Sequence, residues 1–235
     1  MTAESFVILM IVTSLSGVFI GGVLAVLNKN DWMQRAAQTV LLVALACGAL
    51  AGAAFLLRDM SSLAVLENEW LFPGDLKIDS LSAIFFFLVN AVGFLAVLYG
   101  LRYLMNERNH YHIGYIQFLT ALFLLGMQMV VLAATPVFFL FSWEVMSFAS
   151  FLLVMADMKR DSTKPALFYL IVTHLGAGAI LAGFLMLTNG SLFLDFTQIS
   201  SSLVSGSSEL SNGALIAIFL LFFFAFGSNL RGSRQ

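Results

Sequence analysis

The sequence predicts an all-α fold, a polytopic transmembrane helix bundle of about seven helices. Of the 235 residues, 60% are apolar and only 10% are charged, against about 25% charged in a typical soluble domain. The apolar residues fall into runs of about 20, the length that crosses the roughly 30 Å hydrocarbon core of a bilayer as a helix. Basic residues are concentrated in every second connection between these runs, a distribution typical of polytopic membrane proteins.

Six of the apolar runs are long enough to span a bilayer, and a seventh is shorter. Asp79 and the serine that follows it suit the cap of the third helix, and Pro165 suits the first turn of the sixth. Thr135-Pro136 predicts a tight turn between the fourth and fifth helices. The seventh run begins near residue 213 and keeps about 15 apolar residues. The predicted long spans are 5–27, 36–57, 81–101, 113–134, 136–156 and 166–188.

The basic residues also predict the orientation, with the N-terminus outside and the C-terminus inside. This orientation leaves only Arg58 and Lys77 in outer segments, as the positive-inside rule requires. The longest outer connection, 58–80, contains the turn signal Pro73-Gly74 and predicts a short hairpin. The inner segments hold Lys29, Arg35, Arg102, Arg108, Lys159, Arg160, Lys164, Arg231 and Arg234.

Glu144 is the acidic residue placed deep within a predicted span. It lies about two residues from the centre of the fifth run, or roughly 3 Å from the midplane at 1.5 Å per residue. A charged acid at that depth costs about 2.5–3.5 kcal/mol on insertion scales, so an ion or proton site is the default interpretation. The alternative is a glutamic acid that stays neutral and is hydrogen-bonded to a neighbouring helix.

His174 is the second candidate, at a similar depth on the next predicted helix. Imidazole titrates near neutrality and has two nitrogens through which a proton can pass. An equally open alternative is a histidine hydrogen-bonded within a packing face rich in glycine and threonine, which includes Thr173 and Gly176. Asn90, Gln117 and Gln128 are further polar residues at membrane depth, where pairing across helices is the simpler role.

The sequence lacks the patterns that would bind a cofactor, a metal or a nucleic acid. The single cysteine, Cys47, excludes disulfide and iron–sulfur frameworks within this chain. One histidine within the spans does not supply the paired axial ligands of a b-type haem. His110 and His112 are a weak metal signal in a predicted inner loop, and we expect no metal and no cofactor.

Three segments together resemble a known family, over roughly residues 75–228. The segment Phe141-Ser-Trp-Glu144-Val-Met-Ser-Phe is the most specific, and Lys77-Ile-Asp79-Ser-Leu-Ser-Ala and Lys164-Pro-Ala-Leu-Phe-Tyr-Leu-Ile-Val-Thr-His174-Leu-Gly add support. They are similar to the large antiporter-like membrane subunits of complex I and its relatives, above all to the component of hydrogenase-4 and formate hydrogenlyase complexes.

The resemblance implies proton or Na⁺ translocation in a bacterial or archaeal inner membrane. It implies a chain embedded in the lipid bilayer, with other membrane subunits and peripheral redox subunits of a hydrogenase or complex-I-like assembly as partners. Residues 1–112 are then an N-terminal three-helix membrane segment, and 113–235 are an incomplete first antiporter-like repeat. A free-standing cation/proton antiporter and an inactive truncated scaffold are the alternatives.

The family resemblance also implies a lysine on the seventh helix that pairs with Glu144. Asn229 stands where that lysine is expected, and the residues after Ser228 form a short, polar and basic tail. We therefore expect a chain truncated after its seventh helix. We also expect a Glu144 that is protonated more often than its family counterpart, because the stabilising cation is missing.

Overall fold

A computed structural model describes residues 2–27, 31–58, 62–66, 76–106, 112–156, 163–205 and 211–231 of the chain. These residues form eight helices and one two-stranded sheet, and six of the helices are long and apolar enough to cross a membrane. The elements are α1 (Ala3–Leu27), α2 (Asp31–Leu57), β1 (Ser62–Leu66), β2 (Leu76–Asp79), α3 (Ser80–Asn106), α4 (Ile113–Leu132), α5 (Pro136–Ala156), α6 (Thr163–Leu187), α7 (Phe196–Val204) and α8 (Asn212–Arg231).

The predicted helix boundaries are confirmed at the positions where a specific residue type fixes them. The Ser82 N–H donates to Asp79 Oδ1 at 2.7 Å, so Asp79 caps α3 as expected. Pro136 opens α5 directly after a short turn, and Pro165 lies in the first turn of α6, where its missing N–H leaves no hydrogen bond unmade. The six long spans therefore begin and end close to where the apolar runs and caps predict.

Most of the helices pack against their neighbours in the chain, but α1 returns onto α4 and α6 packs against α8. Contacts join α1 to α2, α2 to α3, α4 to α1, α3 and α5, α5 to α6, and α6 to α8. Small residues permit the closest crossings, because they let two backbones approach. Gly17 of α1 faces Ala44 of α2, and Gly22 of α1 faces Ala121 of α4.

The predicted hairpin in the 58–80 connection is confirmed as an antiparallel pair of strands. Ser62 pairs with Asp79, and the register shifts once between Ala64 and Leu66. Beneath the hairpin lies a buried apolar cluster that joins it to α1, α2, α3, α4 and the start of α5. Its larger members are Val7, Ile11, Phe55, Ile78, Phe86, Leu132 and Phe138. This side of the bundle is called the hairpin end below.

The short helix α7 was not predicted, because nine residues with several serines carry no spanning signal. The sequence nevertheless contains a capping box at the start of α7, with Asp195 as N-cap and Gln198 at the third helical position. The Thr197 N–H donates to Asp195 Oδ1 at 2.8 Å, and the Asp195 N–H donates to Gln198 Oε1 at 3.3 Å. The capping box therefore starts one short surface helix, α7, before α8.

The seventh predicted span corresponds to α8. The helix covers 20 residues, but its continuous apolar part in the described region is Gly213–Ala225. The side chain of Asn229 lies outside the part of the chain whose side chains are described. The inside–outside orientation stays a prediction. The division of the chain at residue 112 also stays a prediction; α4, which follows it, contacts α1 and α3 before it and α5 after it.

Candidate functional site

Helix α5 holds Glu144 close to its middle. The helix runs from Pro136 to Ala156, so Glu144 is two residues from the centre. The nearby Ser142 hydroxyl is turned toward its own helix and donates to the Phe138 carbonyl at 2.7 Å. This back-bonding satisfies the serine within α5.

Helix α6 presents His174 at a matching depth, and its own backbone fixes the state of one ring nitrogen. His174 Nδ1 lies 3.0 Å from the carbonyl oxygen of Leu170, one turn earlier in the helix. A carbonyl oxygen only accepts hydrogen bonds, so Nδ1 carries a hydrogen and donates it. In the neutral ring the other nitrogen, Nε2, is therefore the one with a free lone pair.

The structure brings the two predicted site residues into direct contact. His174 Nε2 lies 3.2 Å from Glu144 Oε2. With Nδ1 already protonated, this contact requires one further proton between the two groups, because a bare Nε2 lone pair and a carboxylate oxygen repel each other. The proton resides either on the carboxylic acid, which donates to Nε2, or on an imidazolium, which donates to the carboxylate.

The pair faces away from the bundle formed by the described residues. The Glu144 side chain is 41% exposed and the His174 side chain is 52% exposed. In a bilayer this surface would present a charged or strongly polar pair to hydrocarbon, at a cost of several kcal/mol. Burial of this surface in hydrocarbon is therefore unfavourable unless water or another polar group covers it.

Asn90 and Gln128, predicted to pair across helices, do so in a second and separate polar cluster. The Gln128 Nε2 donates to Asn90 Oδ1 at 2.6 Å and to Ser14 Oγ at 3.2 Å. The Ser14 hydroxyl donates to Asn90 Oδ1 at 3.2 Å, and Asn90 Nδ2 donates to the Phe86 carbonyl at 2.7 Å. The cluster joins α1, α3 and α4, so it supports the bundle and lies apart from the α5–α6 pair.

Gln117 does not join that cluster, although it is also buried on α4. Neither atom of its amide has a hydrogen-bond partner among the described residues. Within the same residues, no three His, Cys, Asp or Glu side chains are grouped closely enough to hold a metal ion. His112 precedes α4 without a side-chain cap, and His110 lies outside the described residues.

An ion pair at the hairpin end was not foreseen. Lys77 of β2 donates to Asp195 Oδ2 in front of α7. Partial burial raises the pKa of Asp195, but the hydrogen bonds from Lys77 and Thr197 and the charge of Lys77 outweigh it, so the pKa lies below its ordinary value. The two residues are 118 positions apart, and only the capping box around Asp195 was a detectable signal.

The helices and the paired carboxyl and imidazole groups define a class of protein, an integral membrane protein with a titratable pair at mid-depth. No family model matches the chain. Two curated relatives are similar to it: hydrogenase-4 component B of Escherichia coli (strain K12), 29% identical over 65% of this chain, and Na(+)/H(+) antiporter subunit A1 of Staphylococcus haemolyticus (strain JCSC1435), 31% identical over 60%. The chain spans about a fifth of the length of these relatives, 22% and 17% respectively.

Two solved structures share the fold. One is the membrane-bound sulfane sulfur reductase, an archaeal respiratory membrane complex, with a TM-score of 0.72 and 15% identity over 94% of this chain and 44% of that one. The other is the Mrp complex from Dietzia sp. DQ12-45-1b, with a TM-score of 0.72 and 21% identity over 94% of this chain and 23% of that one. The resemblance to antiporter-like membrane subunits is thus confirmed, and the chain is an integral protein of a prokaryotic membrane.

Proposed function

We propose that this chain belongs to a membrane subunit that translocates protons or Na⁺, with Glu144 and His174 handing a proton between them. The contact between His174 Nε2 and Glu144 Oε2 carries this proposal. Because Nδ1 donates to the Leu170 carbonyl, the proton passes directly between Glu144 Oε2 and His174 Nε2. The net charge of the pair is the same before and after the transfer, so the step needs no new counter-ion.

The pair would exchange its proton with the two sides of the membrane in separate steps. Loading a second proton gives an imidazolium beside a neutral acid, and losing one gives a carboxylate beside a neutral imidazole. Each state carries a unit charge at mid-depth, which water or another polar surface must stabilise. The exposure of both side chains supports such a neighbour, since it leaves the pair open on the side away from the described helices.

We propose further that the neighbour is another membrane segment of a hydrogenase or complex-I-like assembly, with redox chemistry in peripheral subunits. The names of the similar proteins, a hydrogenase-4 component and an antiporter subunit, support an assembly of this kind. A free-standing cation/proton antiporter is the second candidate; the Na(+)/H(+) antiporter relative supports cation/proton antiport without a redox partner, although its name is that of a subunit. Purification in mild detergent distinguishes them, because a hydrogenase or quinone-reductase module co-purifies only in the first case.

Ion transport in sealed vesicles tests the role of the pair. The protein, with any membrane subunits that co-purify, is reconstituted, and proton and Na⁺ uptake are followed under an applied potential. We expect Glu144→Gln and His174→Gln to reduce transport to background. Glu4→Gln and His112→Gln are matched controls, since they make the same chemical changes outside the middle of the spans. Unchanged transport in either site variant contradicts the proposed role, and absent transport in every sample favours an inactive scaffold.

A further inference from the structure

Three chain segments that are far apart in sequence meet at the hairpin end. The strand β2 forms an isolated antiparallel bridge between Leu76 and Ala133, the first residue after α4. The first residue of α7 binds the same turn, where the Phe196 N–H donates to the Ala134 carbonyl at 2.9 Å. The turn between α4 and α5 is thus held by backbone hydrogen bonds from two segments.

A further backbone hydrogen bond ties the start of α5 to the exit of α6. The Val137 N–H donates to the Leu192 carbonyl at 3.3 Å. Leu192 follows α6 by a few residues, across a turn in which Asn189 and Gly190 have positive φ angles of 51° and 90°. The hairpin ends of α5 and α6 are therefore connected through backbone groups and not through side-chain packing alone.

Lys77 and Asp195 close these contacts into a ring. Lys77 follows Leu76 of the bridge directly, and Asp195 directly precedes Phe196. Their ion pair joins β2 to the segment that binds the α4–α5 turn. The ring, called the hairpin-end clamp below, consists of Leu76, Lys77, Ala133, Ala134, Asp195 and Phe196.

We infer that Lys77 and Asp195 are positioning residues that hold α5 and α6 at the separation required for the contact between Glu144 and His174. The clamp holds the turn directly before α5, and Glu144 is eight residues beyond Pro136, or about 12 Å along the helix. It also fixes the segment that leaves α6, the helix that carries His174. A 3.2 Å contact between two half-exposed side chains is sensitive to small shifts of either helix.

The carboxylate of Asp195 has two separable tasks, which makes a specific test possible. Its Oδ2 accepts from Lys77, whereas its Oδ1 accepts from the Thr197 N–H and caps α7. Asp195→Asn removes the charge but keeps a good N-cap, since asparagine caps helices as well as aspartate does. Gln198→Ala removes half of the capping box and leaves the ion pair.

The contact itself is measured by ¹⁵N NMR of the His174 ring, in the full chain in lipid nanodiscs. His110→Gln and His112→Gln leave His174 as the single histidine, and Glu144→Gln supplies the Nε2 shift of the broken contact. We expect Lys77→Met, Asp195→Asn and the double variant all to move the Nε2 resonance toward that reference, by similar amounts. Lys77→Arg and Gln198→Ala should keep the wild-type shift.

The outcomes separate this inference from the proposed function on which it rests. An unchanged Nε2 shift in Lys77→Met or Asp195→Asn overturns the inference, as does a change in Gln198→Ala equal to that in Asp195→Asn. The inference is supported if the Nε2 resonance moves in both Lys77→Met and Asp195→Asn but keeps its wild-type position in Lys77→Arg. Because the readout is the geometry of the pair, it is independent of whether the vesicle assay finds transport.

Discussion

Gly48 of α2 lies directly against the amide of Asn90 on α3, at the point where Ser14 of α1 also reaches that amide. A Cβ atom at Gly48 would lie 2.5 Å from Ser14 Oγ and closer still to Asn90 Oδ1. The absence of a side chain on α2 therefore leaves the space in which the polar cluster of α1, α3 and α4 forms.

Gly48→Ala should destabilise the bundle, because the methyl group would displace hydrogen-bonded atoms that are fully buried. Overpacking of this kind costs about 1–3 kcal/mol. The free energy of unfolding, measured by titration with a denaturing detergent, should fall by that amount. Gly100→Ala is the matched control, since no heavy atom of the described structure lies within 4 Å of a Cβ atom there. Equal losses in the two variants would contradict this explanation.

Gln128→Leu should cost stability that Gln117→Leu does not. Both glutamines are buried on α4, but Gln128 donates two hydrogen bonds across helices, whereas the Gln117 amide has no partner among the described residues. Hydrogen bonds between membrane helices contribute about 0.6 kcal/mol each, and up to about 1.7. The same unfolding titration should show a loss of about 1–2 kcal/mol for Gln128→Leu and no loss for Gln117→Leu. A larger loss of unfolding free energy in Gln117→Leu than in Gln128→Leu would contradict the stabilising role of Gln128.

The stability of the hairpin end should depend on acid pH through Asp195. Its pKa is lowered in the folded chain from an ordinary value of 3.8. The unfolded chain therefore binds the proton first as pH falls, and the stabilisation is complete above 3.8 and is lost as pH falls through the folded pKa. Resistance of the α6–α7 connection to an acid-tolerant protease should decline over this window. Asp195→Asn should have lower protease resistance at neutral pH and a smaller decline in acid. A pH profile identical to that of the wild-type chain would contradict the assignment to Asp195.

The His174 ring should carry its hydrogen on Nδ1 whenever the histidine is neutral. The cause is the Leu170 carbonyl at 3.0 Å, which accepts a hydrogen bond and cannot donate one. The ¹⁵N chemical shifts of the two ring nitrogens in a single-histidine background report the tautomer directly. His112, which makes no such helix contact, is the reference in a second background that retains it alone. Finding the hydrogen on Nε2 of neutral His174 would contradict the proposed transfer, because that nitrogen could not then accept a proton from Glu144.

The sequence predicts the helices well because lipid imposes a length and a polarity on each span. The same constraint singles out Glu144 and His174, since polar groups at mid-depth are costly wherever they occur. Their similar depth follows from counting residues, but the 3.2 Å contact depends on how α5 and α6 pack. The pairing of Lys77 with Asp195 is a tertiary event across 118 positions. No local pattern predicts it, and α7 was missed because its signal is a cap and not an apolar run.

The separation of the two polar clusters has an electrical consequence. Ser14, Asn90 and Gln128 are neutral, so the cluster that they form adds no charge on which a voltage across the membrane could act. Glu144 and His174 are titratable and lie near mid-depth, where a displaced charge senses up to roughly 2.3 kcal/mol per 100 mV for a full crossing. The gain or loss of a proton by the pair therefore couples to the membrane potential at α5 and α6, whereas the neutral cluster that joins α1, α3 and α4 contributes no charge at mid-depth.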